Sequence, residues 1–172
     1  TGMTGALGLK GGILRGEILL NLDTENDHEI DIGCAGGIDV TASGKYREDT
    51  VPAGSIGYTL SVRGLNGGHS GMDIHKGLGN ANKIMNRLLY ACGQKYGLRI
   101  GDLSGGSLRN AIPRESVARV IVGNGLDTAF EKHIQEQAKF IKSELKTMEP
   151  GMEIELKKSE LPAQVMEFEA QE

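Results

Sequence analysis

The sequence predicts an α+β fold, and three observations carry the prediction. Apolar residues recur at three- and four-residue steps over about 73–94 and again over about 128–147, the spacing of helices that bury one face. Four short aliphatic runs, at 55–65, 98–103, 116–122 and 152–158, have the length and composition of strands. The helical stretches separate the first strand from the second and the third from the fourth, so the order is β-α-β-β-α-β. That order is the ferredoxin-like arrangement, a four-stranded antiparallel sheet with two helices on one face.

The elements follow in chain order. Residues 1–16 have no sustained period. Glu17–Asp23 (EILLNLD) reads as a short apolar strand ending on carboxylates, a place where α/β enzymes present ligating or catalytic side chains. A lone strand cannot bury its own faces, so this one is expected to be the edge of a larger domain. Glu29–Ala42 alternates as a hairpin would, and the polar stretch Ser43–Thr50 links it to a second unit beginning near Val51. Strand Ser55–Leu65 opens that unit, turns at Gly67 and Gly68, and displays His69. A helix from about Asp73 to Gln94 follows, with Ile74, Leu78, Ala81, Ile84, Leu88 and Ala91 on its apolar stripe and Gly97 as its C-cap. Leu98–Leu103 is a strand, Ser107–Arg114 a loop or extended crossing, and Ser116–Val122 another strand. The second helix, about Thr128–Thr147, carries Phe130, Ile134, Ala138, Ile141, Leu145 and Met148 on one stripe. Thr128 and Glu131 have capping-box spacing at its start, and Pro150–Gly151 ends it. Met152–Lys158 alternates as a last strand, and Ser159–Glu172 reads as the start of a return into the domain of the N-terminal strand.

Composition narrows the class. A chain of 172 residues is one domain, or one small domain with appendages. Apolar residues make up 38% but aromatics only 4%, so the core is expected to be aliphatic. The 26 glycines group at turns without a period, which excludes collagen-like and low-complexity classes. A formal charge of −4 argues against general nucleic-acid binding. Charge is nonetheless uneven: six acids and no Lys or Arg from Glu17 to Asp31, then seven Lys or Arg against Asp102 and Glu115 from Lys83 to Arg119. These are either two solvated faces or a cation-binding end and an anion-receiving end. Cys34 and Cys92 are isolated, which fits a reducing compartment. With no signal-peptide pattern and no apolar run of membrane-spanning length, the expected location is cytoplasmic, with no membrane partner.

Several patterns resemble chemical motifs and fail on inspection. The acidic ladder Asp23, Glu25, Asp27, Glu29, Asp31 is not an EF-hand, because its sixth position is His28 where glycine is needed and its twelfth is Cys34 where glutamate is needed. His69, Asp73 and His75 could suggest zinc, but His69 precedes the expected helix while the other two open it. His75 reads as a first-turn residue and His133 as an exposed one on the second helix. GLGNAN lacks the last glycine of a dinucleotide fingerprint.

Three longer stretches carry more: NLDTEND at 21–27, GLNGGHSGMDIHKGLGNAN at 64–82 and GGSLRNAIPRES at 105–116, with GCAGGID at 33–39 between the first two. They resemble the aminoacyl-histidine dipeptidases, cytosolic non-specific and carnosine-splitting dipeptidases within the large family of two-zinc exopeptidases. The resemblance extends over nearly the whole chain. It implies an α/β catalytic domain holding two zinc ions, with a smaller ferredoxin-like lid domain inserted into it. Residues 51–158 would be the lid and dimerisation domain, 1–50 an edge of the catalytic domain, and 159–172 the return toward it.

The same resemblance assigns roles. Asp23 would be a carboxylate ligand to one zinc, a hard oxygen donor at a strand end. His69 would donate a hydrogen bond to the scissile carbonyl of a dipeptide as it becomes an oxyanion. Asn110, with Arg109 or Arg114, would hold the substrate's backbone or terminal carboxylate. In relatives this histidine can come from a partner subunit, so a homodimer is implied. The family's His-x-Asp motif, bridging aspartate, Glu-Glu pair and last histidine have no counterpart in these 172 residues. Asp23 alone cannot hold zinc, and no general base is present to activate water. The expectation is therefore a fragment of a zinc-dependent dipeptidase that is itself inactive. The alternative is a stand-alone ferredoxin-like module that binds a small molecule or dimerises.

Overall fold

A computed structural model describes residues 4–18, 20, 28–30, 32–33, 38 and 40–171, without the side chains of Ala6 and Gln94. The chain divides into two compact units, Thr1–Ala42 and Ser43–Glu172. Among the described residues of the first unit the one regular element is a helical turn, α1 (Thr4–Leu7). The strand expected over Glu17–Asp23 is not formed at Glu17, Ile18 or Leu20, and Ile18 and Leu20 are exposed. Asp23 itself lies outside the described residues. The hairpin expected over Glu29–Ala42 is likewise absent at its described positions. An apolar strand without sheet partners on both sides has nothing to satisfy its backbone or cover its side chains.

The second unit has the expected architecture. Its strands are β1 (Glu48–Thr50), β2 (Ile56–Arg63), β3 (Gly68–His69), β4 (Arg99–Gly105), β5 (Ala111–Ile112), β6 (Ser116–Val122), β7 (Glu153–Ser159) and β8 (Gln164–Met166). Its helices are α2 (Ala81–Tyr96) and α3 (Asp127–Leu145). The main sheet has the order β4-β6-β2-β7, antiparallel throughout, which is the ferredoxin-like order. Alternation sets its faces: Tyr58, Leu60 and Val62 of β2 and Ala118, Val120 and Val122 of β6 enter one core with the apolar stripes of both helices. Phe130 of α3 sits edge-on to Tyr58 and Tyr96, with ring centroids 5.2 and 5.9 Å away. Two small ribbons complete the unit, β1 with β8 and β3 with β5.

Three local expectations need correction. The first long helix starts at Ala81, eight residues later than the periodicity suggested. Ile74–Lys76 is a single 3-10 turn, stopped by Gly77 in the left-handed region at φ 66°. Asn80 then caps α2, its side chain accepting the Lys83 N–H at 3.1 Å. The buried stripe accordingly runs Ala81, Ile84, Met85, Leu88, Cys92, Tyr96, while Ile74 and Ala91 are exposed. The second helix has no capping box: its N-cap is Leu126, and Glu131 instead accepts the Tyr58 hydroxyl at 2.8 Å. His133 is half-buried rather than exposed, its ring 5.5 Å from that of Tyr96 and its Nε2 without a partner.

Candidate functional site

The β3–β5 ribbon assembles most of the residues singled out by sequence. His69 stands opposite Ala111, and the Ser70 N–H donates to the Asn110 carbonyl at 2.8 Å. Arg109 and Asn110 are the middle residues of a turn closed by the Ala111 N–H on the Leu108 carbonyl at 3.2 Å. Both are exposed, as is His69. The crossing expected over Ser107–Arg114 is therefore the second strand of a ribbon whose first strand ends on the histidine.

Local hydrogen bonds fix the imidazole. Its Nδ1 accepts the backbone N–H groups of Gly71 at 3.1 Å and Met72 at 3.2 Å. A neutral imidazole with Nδ1 as acceptor carries its proton on Nε2, so the ring offers an N–H donor from that atom. Asp73 fixes the backbone on the other side. Its Oδ2 accepts the His69 N–H at 2.7 Å, and its own N–H returns to the His69 carbonyl at 2.9 Å. Lys76, 2.7 Å from Asp73 Oδ1, is the first cause that holds this carboxyl below the usual aspartate range, and the His69 N–H is the second. Asp73 and His69 thus form one turn, and Asp73 is spent on that turn rather than on a metal.

Arg114 has a different place. Its Nε–H donates to the Leu65 carbonyl at 3.2 Å, and its aliphatic stem covers Gly67, where any Cβ would strike it. It braces the approach to the histidine loop. Asp23 lies outside the described residues. Among the described residues no group of three His, Cys, Asp or Glu side chains could hold a metal ion. The described donors thus do not fit a metal centre, and the chemistry available here is hydrogen-bond donation from His69 beside the amide and guanidinium of Asn110 and Arg109.

Sequence reasoning missed what holds this loop. Asp73 had a signal, a carboxylate four residues past a histidine in a Gly-rich turn, which invites an Asx-type closure. Glu149 had none: it lies 80 residues further along and is buried beneath the loop.

The chain is similar to known proteins over most of its length. A family described as a peptidase dimerisation domain matches residues 60–149. The cytosol non-specific dipeptidase of Escherichia coli (strain K12) is 43% identical over 151 residues, 88% of this chain and 31% of the relative. The crystal structure of aminoacylhistidine dipeptidase from Vibrio alginolyticus is 40% identical, with a TM-score of 0.76 over 96% of this chain and 34% of that one. AtUAH in complex with glyoxylate shares the fold at 18% identity, with a TM-score of 0.52 over 65% of this chain. The chain spans about a third of the length of the two dipeptidases it matches.

Proposed function

This chain belongs to the peptidase dimerisation domain family, and from that premise we propose that it supplies the lid of a dipeptidase that hydrolyses Xaa-His and other dipeptides. The lid would comprise residues 51–158, with 1–50 and 159–172 connecting it to a catalytic domain. Its chemical contribution is His69. The observation that carries this reading is the occupied Nδ1, which leaves Nε2–H as the ring's donor on an exposed loop. A donor fixed before the reaction costs nothing to reorganise when a carbonyl oxygen gains charge, which is the condition for stabilising an oxyanion.

The neighbouring groups suit a substrate grip. Asn110 offers an amide that can both donate and accept, which matches a peptide backbone. Arg109 on the same turn, and Arg114 at the loop's base, offer guanidinium groups that match a terminal carboxylate. The family implies a metal, and we take it to be zinc, with Asp23 among its ligands. The remaining ligands and the general base would lie outside these 172 residues. A second copy of the protein, joined through this domain, is the expected partner, and the cytosol the expected compartment. No helix of the described residues is long and apolar enough to cross a membrane.

The test is hydrolysis of β-alanyl-histidine by this chain with added zinc, beside an intact relative as positive control. The expected result is turnover by the relative and none by this chain. Zinc-dependent turnover by this chain alone would overturn its assignment as a lid.

A further inference from the structure

The loop that carries His69 is closed at its base by one buried carboxylate. Glu149, in the turn after α3, is 2% exposed. Its Oε2 accepts the Asn66 N–H at 2.7 Å, and its Oε1 accepts the Gly79 N–H, also at 2.7 Å. Between those two amides lie residues 67–78, twelve residues containing β3, His69, Asp73 and the 3-10 turn. The ends of a compact surface loop meet at its base, and here one side chain joins them. Three further contacts belong to the closure. The Asn66 side chain donates to the Met148 carbonyl at 2.7 Å. The Glu149 N–H donates to the Leu145 carbonyl at 2.8 Å, and the Met152 N–H to the Glu149 carbonyl at 3.1 Å, so the glutamate is itself held from both sides. Gly79 has no room for a side chain: a Cβ would lie 2.5 Å from Leu65 Cδ2 and 3.0 Å from Glu149 Cγ.

Burying a carboxylate is costly unless its oxygens are bonded, and here both are. What the arrangement supplies is a fixed base. The ring is anchored to Gly71 and Met72 of the loop itself, and the backbone of His69 to Asp73 and to β5. Beyond β5 the Pro113 carbonyl accepts the Ala81 N–H of α2 at 3.0 Å, which ties the ribbon's second strand to the helical layer but leaves the two ends of the histidine loop to be joined. Glu149 joins them, and it ties both to the helical layer, because it follows α3 while Gly79 leads into the cap of α2.

We propose that Glu149 is a positioning residue for His69, setting the place of the imidazole through the two ends of its loop without touching substrate. Its value to catalysis rests on the role given to His69 above, but the positioning itself does not, and the experiment reads positioning alone. Glu149→Gln keeps the size of the side chain and replaces one acceptor by an N–H₂ donor that faces a backbone N–H. Amide hydrogen exchange and the imidazole ¹⁵N shifts of His69 are followed in this chain and in the variant.

The expected result is exchange at Asn66, Gly79, Gly71 and Met72 faster by about tenfold or more, with Leu60 and Val120 unchanged. The His69 ¹⁵N shifts move from those of a fixed Nε2–H tautomer toward the average of a free imidazole. A merely structural glutamate would not move that signature. If Asn66 and Gly79 lose protection while the His69 shifts and the Gly71 and Met72 rates stay as they were, the proposal is overturned. Should the Gln variant also open the core, Glu149→Asp carries the same readouts with the charge kept and the reach shortened. Neither outcome depends on dipeptide hydrolysis, so failure of the positioning role and failure of the dipeptidase reading remain distinct.

Discussion

His69 and Asp73 hold each other across a single turn: the His69 N–H donates to Asp73 Oδ2 at 2.7 Å, and the Asp73 N–H donates to the His69 carbonyl at 2.9 Å. The turn also brings the Gly71 and Met72 amides onto the imidazole Nδ1, so the carboxylate indirectly decides which ring nitrogen can donate. An isolated histidine in a glycine-rich loop would sample many orientations. This one has few.

The first prediction concerns pH. Lys76 and the His69 N–H hold the Asp73 carboxyl below its ordinary range. A depressed folded-state value means that the contribution is complete above the ordinary aspartate value and is lost as pH falls through the lowered one. The carboxyl is only half-buried, so solvent screens the effect and it stays local. The His69 backbone amide proton should titrate with Asp73 in the acid range, and Asp73→Asn should abolish that step while the core amides keep their protection. An unchanged step in the Asn variant would assign it to another group.

The second concerns the approach to the loop. Gly64 sits at φ 73° with the Gly151 carbonyl against the place a Cβ would occupy. Backbone on both sides leaves nothing that can yield. Gly64→Ala should destabilise the fold by about 2 kcal/mol or more, read as a lower urea midpoint at an unchanged slope. Gly77, at φ 66° with open space around it, is the control, and Gly77→Ala should cost only about 1 kcal/mol.

The third concerns Cys92, fully buried on the inner face of α2. Burial pushes its thiol up to about 12, although Lys95 pulls the other way. Thiolate is the reacting form, so at pH 8 the folded protein should leave Cys92 unmodified by iodoacetamide. Peptide mapping after labelling in denaturant should find it alkylated. Modification at the same rate in the folded state would contradict its placement in the core.

Much of the fold was legible because burial imposes periodicity. Ser116–Val122 is a strand at the boundaries its composition suggests, and Phe130, Ile134, Ala138 and Ile141 are the buried stripe of α3. The period misled where another rule outweighed it. Ile74 and Leu78 continue the spacing of α2 backward, but Gly77 and the Asn80 cap interrupt the helix, and the apolar match at Ile74 is accidental. Thr128 and Glu131 have the spacing of a capping box, yet Tyr58, 73 residues away in sequence, claims the glutamate. Met148 has the spacing of the α3 stripe but falls beyond the helix end. In the site, the roles given to His69, Arg109, Asn110 and Arg114 rest on the resemblance of their motifs and not on spacing, and the structure adds their placement along one ribbon and at its base. Their division of labour was not legible, because Arg114 bracing Leu65 and Glu149 closing the loop are contacts between distant parts of the chain.

We have proposed that His69 is a preset hydrogen-bond donor for the reacting carbonyl. The direct test is the steady-state kinetics of His69→Ala in the full-length protein proposed above to be a dipeptidase. The expected result is kcat lower by about 10²–10³-fold with KM changed far less, the mark of a donor that acts in the transition state. An unchanged kcat, or a loss confined to KM, would contradict it.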